Sequence, residues 1–499
     1  MVNGQPFDVF ADNNKIEVYE QNDLPLGLGL SAYKFARIPY QGKPINVKIE
    51  VRNFNFENND WSISPKRYKI KGVKSGNYLS FNINRLGYLV IRFKQNKDFT
   101  KQLVLFIEKP DQLPENRVDI VNTYSVDNCG YKNETKKIQA ALNDISGSGK
   151  VLYFPPGTYK TFRLNFKSNS HIHLDKNARI LADTSSLSSY FSNDELGLNS
   201  FILIKDAENI IISGLGVLDG NGTQICTLFN KELLSALNIR LLLIYRSKNI
   251  DFNGVLLKDS ARWNTHILQS NQVNFSYCKL INNPNQNEYL VSLDGWDPDR
   301  SKNILIEKCF GWTGDDAVAI KCTGAENSKD RIFDSENIKV SGNVLLTKKT
   351  GLKIGTETFC SQIQNIVFEN NDIIESDRVM GINVRDGAFV QNVTFRNNHA
   401  EFLFPDRKQN GMNFYITKRN SNTSVLGKIQ KVSIEHCTFE HVFPKKFVFY
   451  RHYPETAETD LSVTIKDLVI DGKLVDDFSP DFFDLAKNNA QLIFDNSDH

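Results

Sequence analysis

A short phrase of alternating polar and apolar residues recurs along the last three hundred residues of the chain. It reads Asn, apolar, any residue, apolar, and it begins at Asn209, Asn249, Gln272, Asn303, Asn337, Asn365, Asn392 and Lys431, with Gln and Lys replacing Asn in two copies. Alternation of this kind is typical of a β-strand with one buried face. Helical patterns are nearly absent after residue 150, so the repeat predicts an all-β structure.

The spacing of the phrases indicates which kind of repeat it is. Successive phrases begin 23 to 40 residues apart, which leaves room for about three short strands in the shortest repeats. A propeller blade needs four strands in ~40–45 residues, with turn signatures that this chain lacks. The pattern therefore predicts a parallel β-helix with loops inserted into the longer coils. We expect the asparagines to bond backbone groups at the corners.

One helix is predicted before the repeat. Ile138, Leu142 and Ile145 follow helical spacing, Asn133 is a suitable cap and Gly147 a stop signal. A helix at this point would cover the open end of a β-helix, where unpaired strand edges and apolar side chains are otherwise exposed.

Residues 1–115 have a different pattern. The segments "PINVKIEVRNF", "NYLSFNI", "YLVIRFK" and "QLVLFIEKP" alternate in hydrophobicity, and turn residues separate them. Strands at this spacing predict a small antiparallel β-sandwich. We therefore expect an N-terminal β-sandwich domain over 1–115 and a parallel β-helix domain over 116–499.

Composition narrows the function classes. The chain has 60 basic and 58 acidic residues, which gives no reason to expect a nucleic-acid partner. Its seven cysteines form no CxxC pair and no ligand spacing with the eight histidines, so neither a metal site nor a cofactor is predicted. Cys278, Cys309 and Cys437 each close a strand-like phrase and are expected to be buried, reduced thiols.

The cell compartment and the oligomeric state stay open at this stage. The sequence has no apolar run long enough for a membrane span, and it does not open with a signal segment. We therefore expect either a protein that stays in the cytoplasm or one that is secreted or periplasmic after removal of a signal peptide.

Three aspartates stand out in the segment "DGWDPDRSKNILIEKCFGWTGDDAVAIK". Asp294 precedes the adjacent pair Asp315 and Asp316 by 21 residues. One coil of a β-helix returns the chain to the same position one rung higher, with rungs ~4.8 Å apart, so we expect Asp294 to stack on Asp315. Clustered carboxylates raise each other's pKa. Glycosidic cleavage needs one protonated acid and one ionised carboxylate.

The segment from about residue 124 to the end resembles the polygalacturonase-type right-handed β-helices of glycoside hydrolase family 28. The motifs "VLYFPPGTY" and "GLGVLDGNG" resemble that family's entry phrases, and "SLDG" and "GDDAVAIK" resemble its catalytic ones. The leading sandwich is similar in architecture to the dextranases of family 49. The resemblance implies Asp315 as general acid, Asp294 and Asp316 as the residues that activate water, inversion at the anomeric carbon and a polysaccharide or oligosaccharide substrate.

The chain departs from the family at supporting positions. Thr350 stands where the resemblance places a histidine, and Asn383 and Arg385 stand where it places an arginine and a lysine. Lys353 is a candidate to supply a further cation. Since asparagine suits a neutral hydroxyl better than a carboxylate, we predict poor hydrolysis of unmodified polygalacturonate and better activity on a neutral or mixed-sugar glycan.

Other residues near the acids are candidate sugar contacts. Lys321 follows the acid pair on a predicted strand, and Trp296 and Trp312 are predicted to lie in loops beside the acids, where a ring can stack on a sugar. Trp263 is either such a platform or a core residue, and His266 is expected to be structural.

Two other functions remain possible on the sequence alone. A polysaccharide lyase shares the solenoid, commonly uses calcium and would release an unsaturated product. A carbohydrate-binding β-helix without catalysis would have no use for three mutually repelling acids.

Overall fold

The chain folds as two compact units, Met1–Gln112 and Leu113–His499, in a computed structural model. The structure describes residues 6–20, 34–95, 98–190, 197–228, 238–282, 292–324, 333–403, 410–422, 424–442, 445–453 and 457–495. Within these ranges, no helix combines the length and the apolar character that crossing a membrane requires.

The first unit is a sandwich of two five-stranded sheets. One sheet has the order Asn14–Ile16, Phe7–Ala11, Ile45–Val51, Tyr78–Ile83, Val73–Ser75, and the other has the order Val18–Glu20, Lys34–Pro39, Asp98–Glu108, Gly87–Gln95, Trp61–Ser64. Apolar residues of both sheets share one core, for example Val47 and Phe81 from the first and Ile91 and Leu105 from the second. The predicted sandwich is confirmed, but one pair is parallel, with Leu103 opposite Lys34. A short 3-10 helix spans Lys66–Tyr68.

The second unit is a parallel β-helix whose described strands form three sheets. The sheet that contains the repeated phrases, which we call the ladder sheet, has the order Arg117–Asp119, Val151–Phe154, Ser170–Leu174, Glu208–Gly214, Lys248–Asn253, Asn271–Ser276, Lys302–Glu307, Ser335–Ser341, Gln362–Glu369, Phe389–Arg396, Lys428–Glu435, Leu461–Lys466, Gln491–Phe494.

The second sheet of the β-helix has the order Cys129–Asn133, Gly157–Thr161, Ala178–Ala182, Val217–Asp219, Leu256–Lys258, Lys279–Ile281, Phe310–Thr313, Val344–Thr347, Asp372–Glu375, His399–Ala400, Thr438–Phe439, Val469–Ile470, Lys473–Leu474. Its last pair is antiparallel, in contrast to all the others.

The third sheet, which we call the site sheet, has the order Leu164–Phe166, Ser200–Lys205, Arg240–Tyr245, Thr265–Leu268, Trp296–Asp299, Val318–Cys322, Thr350–Thr358, Arg378–Val384, Met412–Ile416, Phe447–Arg451. The described α-helices of the second unit are Ile120–Tyr124, Thr135–Ile145 and Gly222–Leu228. Short 3-10 helices lie at Leu187–Tyr190, Glu458–Asp460 and Leu485–Lys487.

The predicted helix is present as Thr135–Ile145, and it buries Ile138, Leu142 and Ile145 in the core of the β-helix. The N-cap residue is Glu134 and not Asn133 as predicted; Asn133 lies one residue earlier, and its Oδ1 accepts hydrogen bonds from the Thr135 N–H at 3.2 Å and the Thr135 hydroxyl at 2.7 Å. The three cysteines predicted to be core residues are buried free thiols.

The phrase asparagines correct one expectation. Their side-chain amides bond other asparagine side chains, not backbone groups, along the corner of the ladder sheet, with N–O distances of 2.7 to 3.2 Å. The acceptors are the preceding phrase asparagines, together with Asn169 and Asn271. In the same corner every phrase begins at a residue with positive φ, for example Asn337 at 56°. Asn tolerates this left-handed conformation better than other non-glycine residues, and stacking of the rungs brings each amide beside the next.

Candidate active site

The three acids lie at the point where two strands of the site sheet begin. Asp294 lies two residues before strand Trp296–Asp299, and Asp315 and Asp316 lie three and two residues before strand Val318–Cys322. The register pairs Trp296 with Val318, and Gly295 N donates to Asp316 O at 2.9 Å. Asp294 is therefore level with Asp316, not with Asp315 as predicted, because the coil is one residue longer than the interval between the first two acids.

A glycine allows this close approach of the two acid segments. A Cβ atom on Gly295 would lie 2.3 Å from the Ala317 carbonyl oxygen, closer than any real side chain allows. Gly314 also provides space: its φ is not positive, and a Cβ there would lie 2.9 Å from the Leu293 side chain.

Asp294 is held by a buried lysine. Its Oδ2 lies 2.7 Å from Lys321 Nζ, and the same nitrogen lies 3.1 Å from Asp297 Oδ1. Burial opposes the charge on Lys321, but the two carboxyl groups outweigh it and hold the pKa of Lys321 well above its ordinary value. Burial raises the pKa of Asp297 well above its usual range, which favours the protonated form of Asp297 beside Lys321.

Asp316 is held by a second lysine. Lys353 Nζ lies 2.5 Å from Asp316 Oδ2, and Thr350 N donates to Asp316 Oδ1 at 3.0 Å. Burial alone would raise the pKa of Asp316, but the Lys353 ammonium and these hydrogen bonds hold it below its ordinary value. Asp316 is therefore ionised over the whole neutral and mildly acidic range.

Asp294 and Asp316 each pair with a lysine, whereas no ion pair joins Asp315 to a cation in the described part of the chain. Burial, followed by the charges of Asp294 and Asp316, raises its pKa to about 7. Its two oxygens accept hydrogen bonds from the backbone N–H groups of Ser292 and Asp316, each at 2.9 Å. These bonds fix the carboxyl group, and its pKa remains raised. Asp315 is also partly exposed, whereas Asp294 and Asp316 are buried. Its carboxyl group can thus hold a proton near neutral pH and reach a bound molecule.

Two predicted sugar contacts are placed differently by the structure. The Lys321 side chain is only 5% exposed, and its ammonium binds Asp294; it positions an acid and does not face a substrate. Trp296 is fully buried in the core of the β-helix, so the prediction that it binds sugar is wrong. Trp296 begins a strand, and strand alternation turns its side chain inward.

Trp312 also lies in a strand, Phe310–Thr313, and not in the predicted loop. Its side chain is covered, with 6% exposed, which leaves no open ring face for a sugar. Trp263 is half-buried and contacts the lysine behind the acids: Lys321 Nζ lies 3.7 Å from its ring centroid.

His266 is structural, as expected. Its Nδ1 accepts a hydrogen bond from Arg240 Nε at 2.9 Å, and its Nε2 lies 2.9 Å from Asp299 Oδ2. Burial lowers the pKa of His266 to about 4, so the ring is neutral and donates from Nε2 to Asp299.

The positions that depart from the family motif lie on the next rungs of the site sheet. Thr350 is fully buried, and its hydroxyl accepts a hydrogen bond from Arg378 Nη1 at 3.0 Å. Asn383 is 2% exposed and donates to Asn413 Oδ1 at 3.1 Å, so it orients a neighbour and does not offer its amide to a ligand. Arg385 is half-buried, and its Nε has no hydrogen-bond partner among the described residues.

Two residues at the site were missed on the sequence. Asp297 is a fully buried acid, and its only signal was its place three residues after Asp294. Arg262 is half-buried, and the negative charges of Asp294 and Asp315 act on its guanidinium. Its position beside Trp263 was the only hint.

No group of three or more His, Cys, Asp or Glu that could hold a metal ion occurs in the described ranges. What the arrangement offers is proton chemistry: one carboxyl group that can hold a proton near pH 7, flanked by two carboxylates that are each neutralised by a lysine. These are the groups that acid-assisted cleavage of a glycosidic bond requires.

The fold is shared with solved structures. A polygalacturonase from Erwinia carotovora ssp. carotovora superposes with a TM-score of 0.59 at 20% identity, over 77% of this chain and 98% of its own. Dex49A from Penicillium minioluteum superposes with a TM-score of 0.61 at 13% identity, over 98% of this chain and 94% of its own. The predicted fold, a right-handed parallel β-helix preceded by a β-sandwich, is confirmed.

The sequence has curated relatives. It is 27% identical to an exopolygalacturonase from Cochliobolus carbonum, over 52% of this chain and 56% of that protein. The alignment thus spans little more than half the length of that relative. The sequence model of "Glycosyl hydrolases family 28" matches residues 155–442, which is more than half of the chain and includes all three acids. The chain therefore belongs to glycosyl hydrolase family 28.

Proposed function

We propose that this protein is an inverting glycoside hydrolase that cleaves a pectin-type polysaccharide. The observation that carries the proposal is the contrast between Asp315, whose pKa is raised to about 7, and Asp316, whose pKa is held low by Lys353. Environments that push the pKa values of neighbouring carboxyl groups apart are how one site supplies both an acid and a base.

In the proposed mechanism Asp315 donates its proton to the glycosidic oxygen as the bond to the anomeric carbon breaks. Asp294 and Asp316 accept the proton of the attacking water, which adds to the opposite face of the sugar and inverts the anomeric carbon. Lys321 and Lys353 orient the two accepting carboxylates, and Lys353 holds the pKa of Asp316 low. After the reaction Asp315 is ionised, and one proton must move from the base pair or solvent to restore it.

The class of substrate follows from the relatives and from the charges near the acids. The relatives named above include an exopolygalacturonase, which favours a pectic chain. However, Lys321 and Lys353 are both engaged by acids, and Asn383 is neutral and bonded to Asn413. A charged hydrogen bond contributes roughly 1.5–3 kcal/mol, so each missing cation weakens the hold on a uronate about 10- to 150-fold. We therefore favour a mixed-sugar pectic chain over unmodified polygalacturonate.

The test is a side-by-side assay of polygalacturonate, neutral polysaccharides and mixed-sugar pectic polysaccharides at matched concentration. Product masses identify hydrolysis, ultraviolet absorbance detects the unsaturated product of a lyase, and proton NMR of the first product reports the anomer. We expect saturated products, an inverted anomer and faster cleavage of the mixed-sugar substrate. Unsaturated products would contradict hydrolysis, a retained anomer would contradict inversion, and efficient cleavage of polygalacturonate alone would contradict the substrate class.

A further inference from the structure

Two histidines lie side by side on the outer face of the ladder sheet, away from the acids. His171 and His173 alternate with Ile172 and Leu174 along strand Ser170–Leu174, and the two apolar residues belong to the core of the β-helix. Because alternate residues of a strand face opposite sides, both imidazole rings stand on the outer face. Two rings placed two residues apart on one strand can reach the same point in space.

A serine on the next rung occupies that point. The register places Ser213 directly opposite His173, and Ile211 opposite His171. His171 Nε2 lies 2.7 Å from Ser213 Oγ, and His173 Nδ1 lies 3.0 Å from the same atom. Two ring nitrogens, one from each histidine, therefore converge on a single oxygen atom.

Metal binding needs imidazole rings without charge. Burial lowers the pKa of His171, and the neighbouring His173 lowers it further, so His171 is neutral near pH 7. A hydroxyl group has one proton to donate, so Ser213 donates to one of the two nitrogens and accepts the N–H of the other. Moving that ring proton to the second nitrogen of the same ring directs both lone pairs at one position without changing the net charge.

Solvent reaches this position from the side of Ile211. His171 and Ser213 are half-buried, and Ile211, on the same outer face, is 41% exposed. His173 is buried, and its ring packs against Tyr153 with centroids 6.1 Å apart. One ring is thus held by packing while the other borders solvent, so the position is both preorganised and open.

We propose that His171 and His173 form a binding site for a divalent transition-metal ion, with the Ser213 hydroxyl or solvent completing the coordination. Imidazole is the commonest side-chain ligand for Zn²⁺, Ni²⁺ and Cu²⁺. The third group is a serine 40 residues from His173, which is why no ligand spacing in the sequence pointed to the site. A ligand that binds only the folded state raises Tm, so the ion stabilises the first coils of the β-helix. The proposal does not depend on the proposed function.

The test is binding of Ni²⁺ alone, measured by calorimetry on the full chain without a histidine tag. The exposed Cys129 is replaced by serine throughout, so that its thiol does not compete. We expect one ion to bind and to raise Tm, and a chelator to reverse the rise. His171→Gln and His173→Gln should each raise Kd at least about tenfold. His436→Gln, at a half-exposed histidine beside Asp467, is the matched control and should leave Kd unchanged.

Ser213→Cys tests the convergence of the two rings in the opposite direction. A sulfur at the position of Oγ becomes a third ligand, since the thiol releases its proton to solvent and the thiolate binds the ion. We expect Ser213→Cys to lower Kd at least about tenfold and, with Co²⁺, to give a thiolate-to-cobalt charge-transfer absorption. Adding His171→Gln should remove both gains.

Circular dichroism of the metal-free variants checks that each one folds. No binding of Ni²⁺ by the Cys129→Ser protein would overturn the proposal. The same conclusion would follow from an unchanged Kd in both His171→Gln and His173→Gln, which would place the bound ion elsewhere. A Ser213→Cys variant that folds but neither binds more tightly nor absorbs with Co²⁺ would show that the two rings do not share a metal ion at this position.

Discussion

The ladder sheet and the site sheet belong to the same β-helix, yet their outward faces differ in kind. Along the corner of the ladder sheet, asparagines of adjacent rungs bond one another: Asn303 bonds Asn337, and Asn337 bonds Asn365. On the site sheet one outward position differs between most rungs, from Asp299 to Lys321, and later from Asn383 to Tyr415, although tyrosine recurs at Tyr450. Both sheets bury the same kind of apolar residues on the inner side.

The repeated side chains of the ladder sheet stabilise the β-helix, whereas the changing side chains of the site sheet form the candidate active site. A repeated residue can serve every rung equally, as the positive-φ asparagines do. A residue that occurs once, such as Asp315 or Arg385, is not repeated on the neighbouring rungs. Buried charges also concentrate on the site sheet, where Lys321 and Lys353 are each paired with an acid, although burying charge is costly. We take this cost as a sign that the site sheet is selected for chemistry.

The largest effect is expected from Asp315→Asn. Loss of the proposed general acid should reduce kcat/KM at least ~10²-fold, the usual scale for proton transfer in the transition state. Asp251→Asn is the matched control on the ladder sheet, where Asp251 Oδ1 accepts from Asn274 Nδ2 at 2.7 Å, and it should keep full activity. Equal rates for wild type and Asp315→Asn on a natural polysaccharide would remove Asp315 from the mechanism.

Asp315→Asn should also change the dependence of stability on pH. The folded pKa of Asp315 is raised above its unfolded value, so the folded state loses stability as pH rises through the range between the two, roughly pH 4 to 7. The amide cannot ionise, so the variant should have a higher Tm than wild type at pH 8 and little difference at pH 4. A lower Tm at pH 8 would show that the carboxylate of Asp315 is stabilised in a way that the structure does not reveal.

A smaller effect is expected from Lys353→Met. Without the ammonium the pKa of Asp316 should rise, since a nearby cation typically lowers the pKa of an aspartate by ~1–3. The proposed base is then protonated at higher pH, so kcat/KM should fall about tenfold or more at acidic pH and recover in part towards neutral pH.

The ladder sheet offers the matched control. Lys339 Nζ lies 2.8 Å from Glu369 Oε1 with the lysine half exposed, and an exposed pair contributes about 0–1 kcal/mol. Lys339→Met should leave the pH profile unchanged. If Lys353→Met lowers kcat/KM by the same factor at every pH, so that the pH profile keeps its shape, Lys353 acts on the substrate and not through Asp316.

The smallest effect is expected on the ladder sheet. Asn337→Ala places alanine at a φ of 56°, which costs ~1–2 kcal/mol, and removes two exposed amide bonds, to Asn303 and from Asn365. Tm should fall by a few degrees while kcat/KM stays unchanged. Asn337→Gly, which accepts the positive φ, should lose less. An equal loss in both variants would mean that the amide bond, and not the backbone conformation, is what selects asparagine.

Periodic features could be predicted from the sequence, and contacts between single side chains could not. The strands, the helix with Ile138 and Leu142 inward and the β-helix follow from patterns that repeat. Trp296 and Lys321 were misassigned because which side of a strand faces the core changes with a shift of one residue. Asp297 was missed because acids are almost never fully buried unless they are paired, and its pairing with Lys321 depends on a contact between rungs. The aspartates were found because they lie in a recognisable motif.

The central claim is that Asp315 is protonated near neutral pH while Asp316 is ionised, and the pH dependence of kcat/KM for the wild type tests it most directly. With the pKa of Asp315 at about 7, the rate should be highest on the acidic side and fall tenfold for each pH unit well above 7. With the pKa of Asp316 below its ordinary value, no fall is expected on the acidic side until below about pH 4. A flat profile from about pH 4 to 9, or a rate that rises towards alkaline pH, would contradict the account.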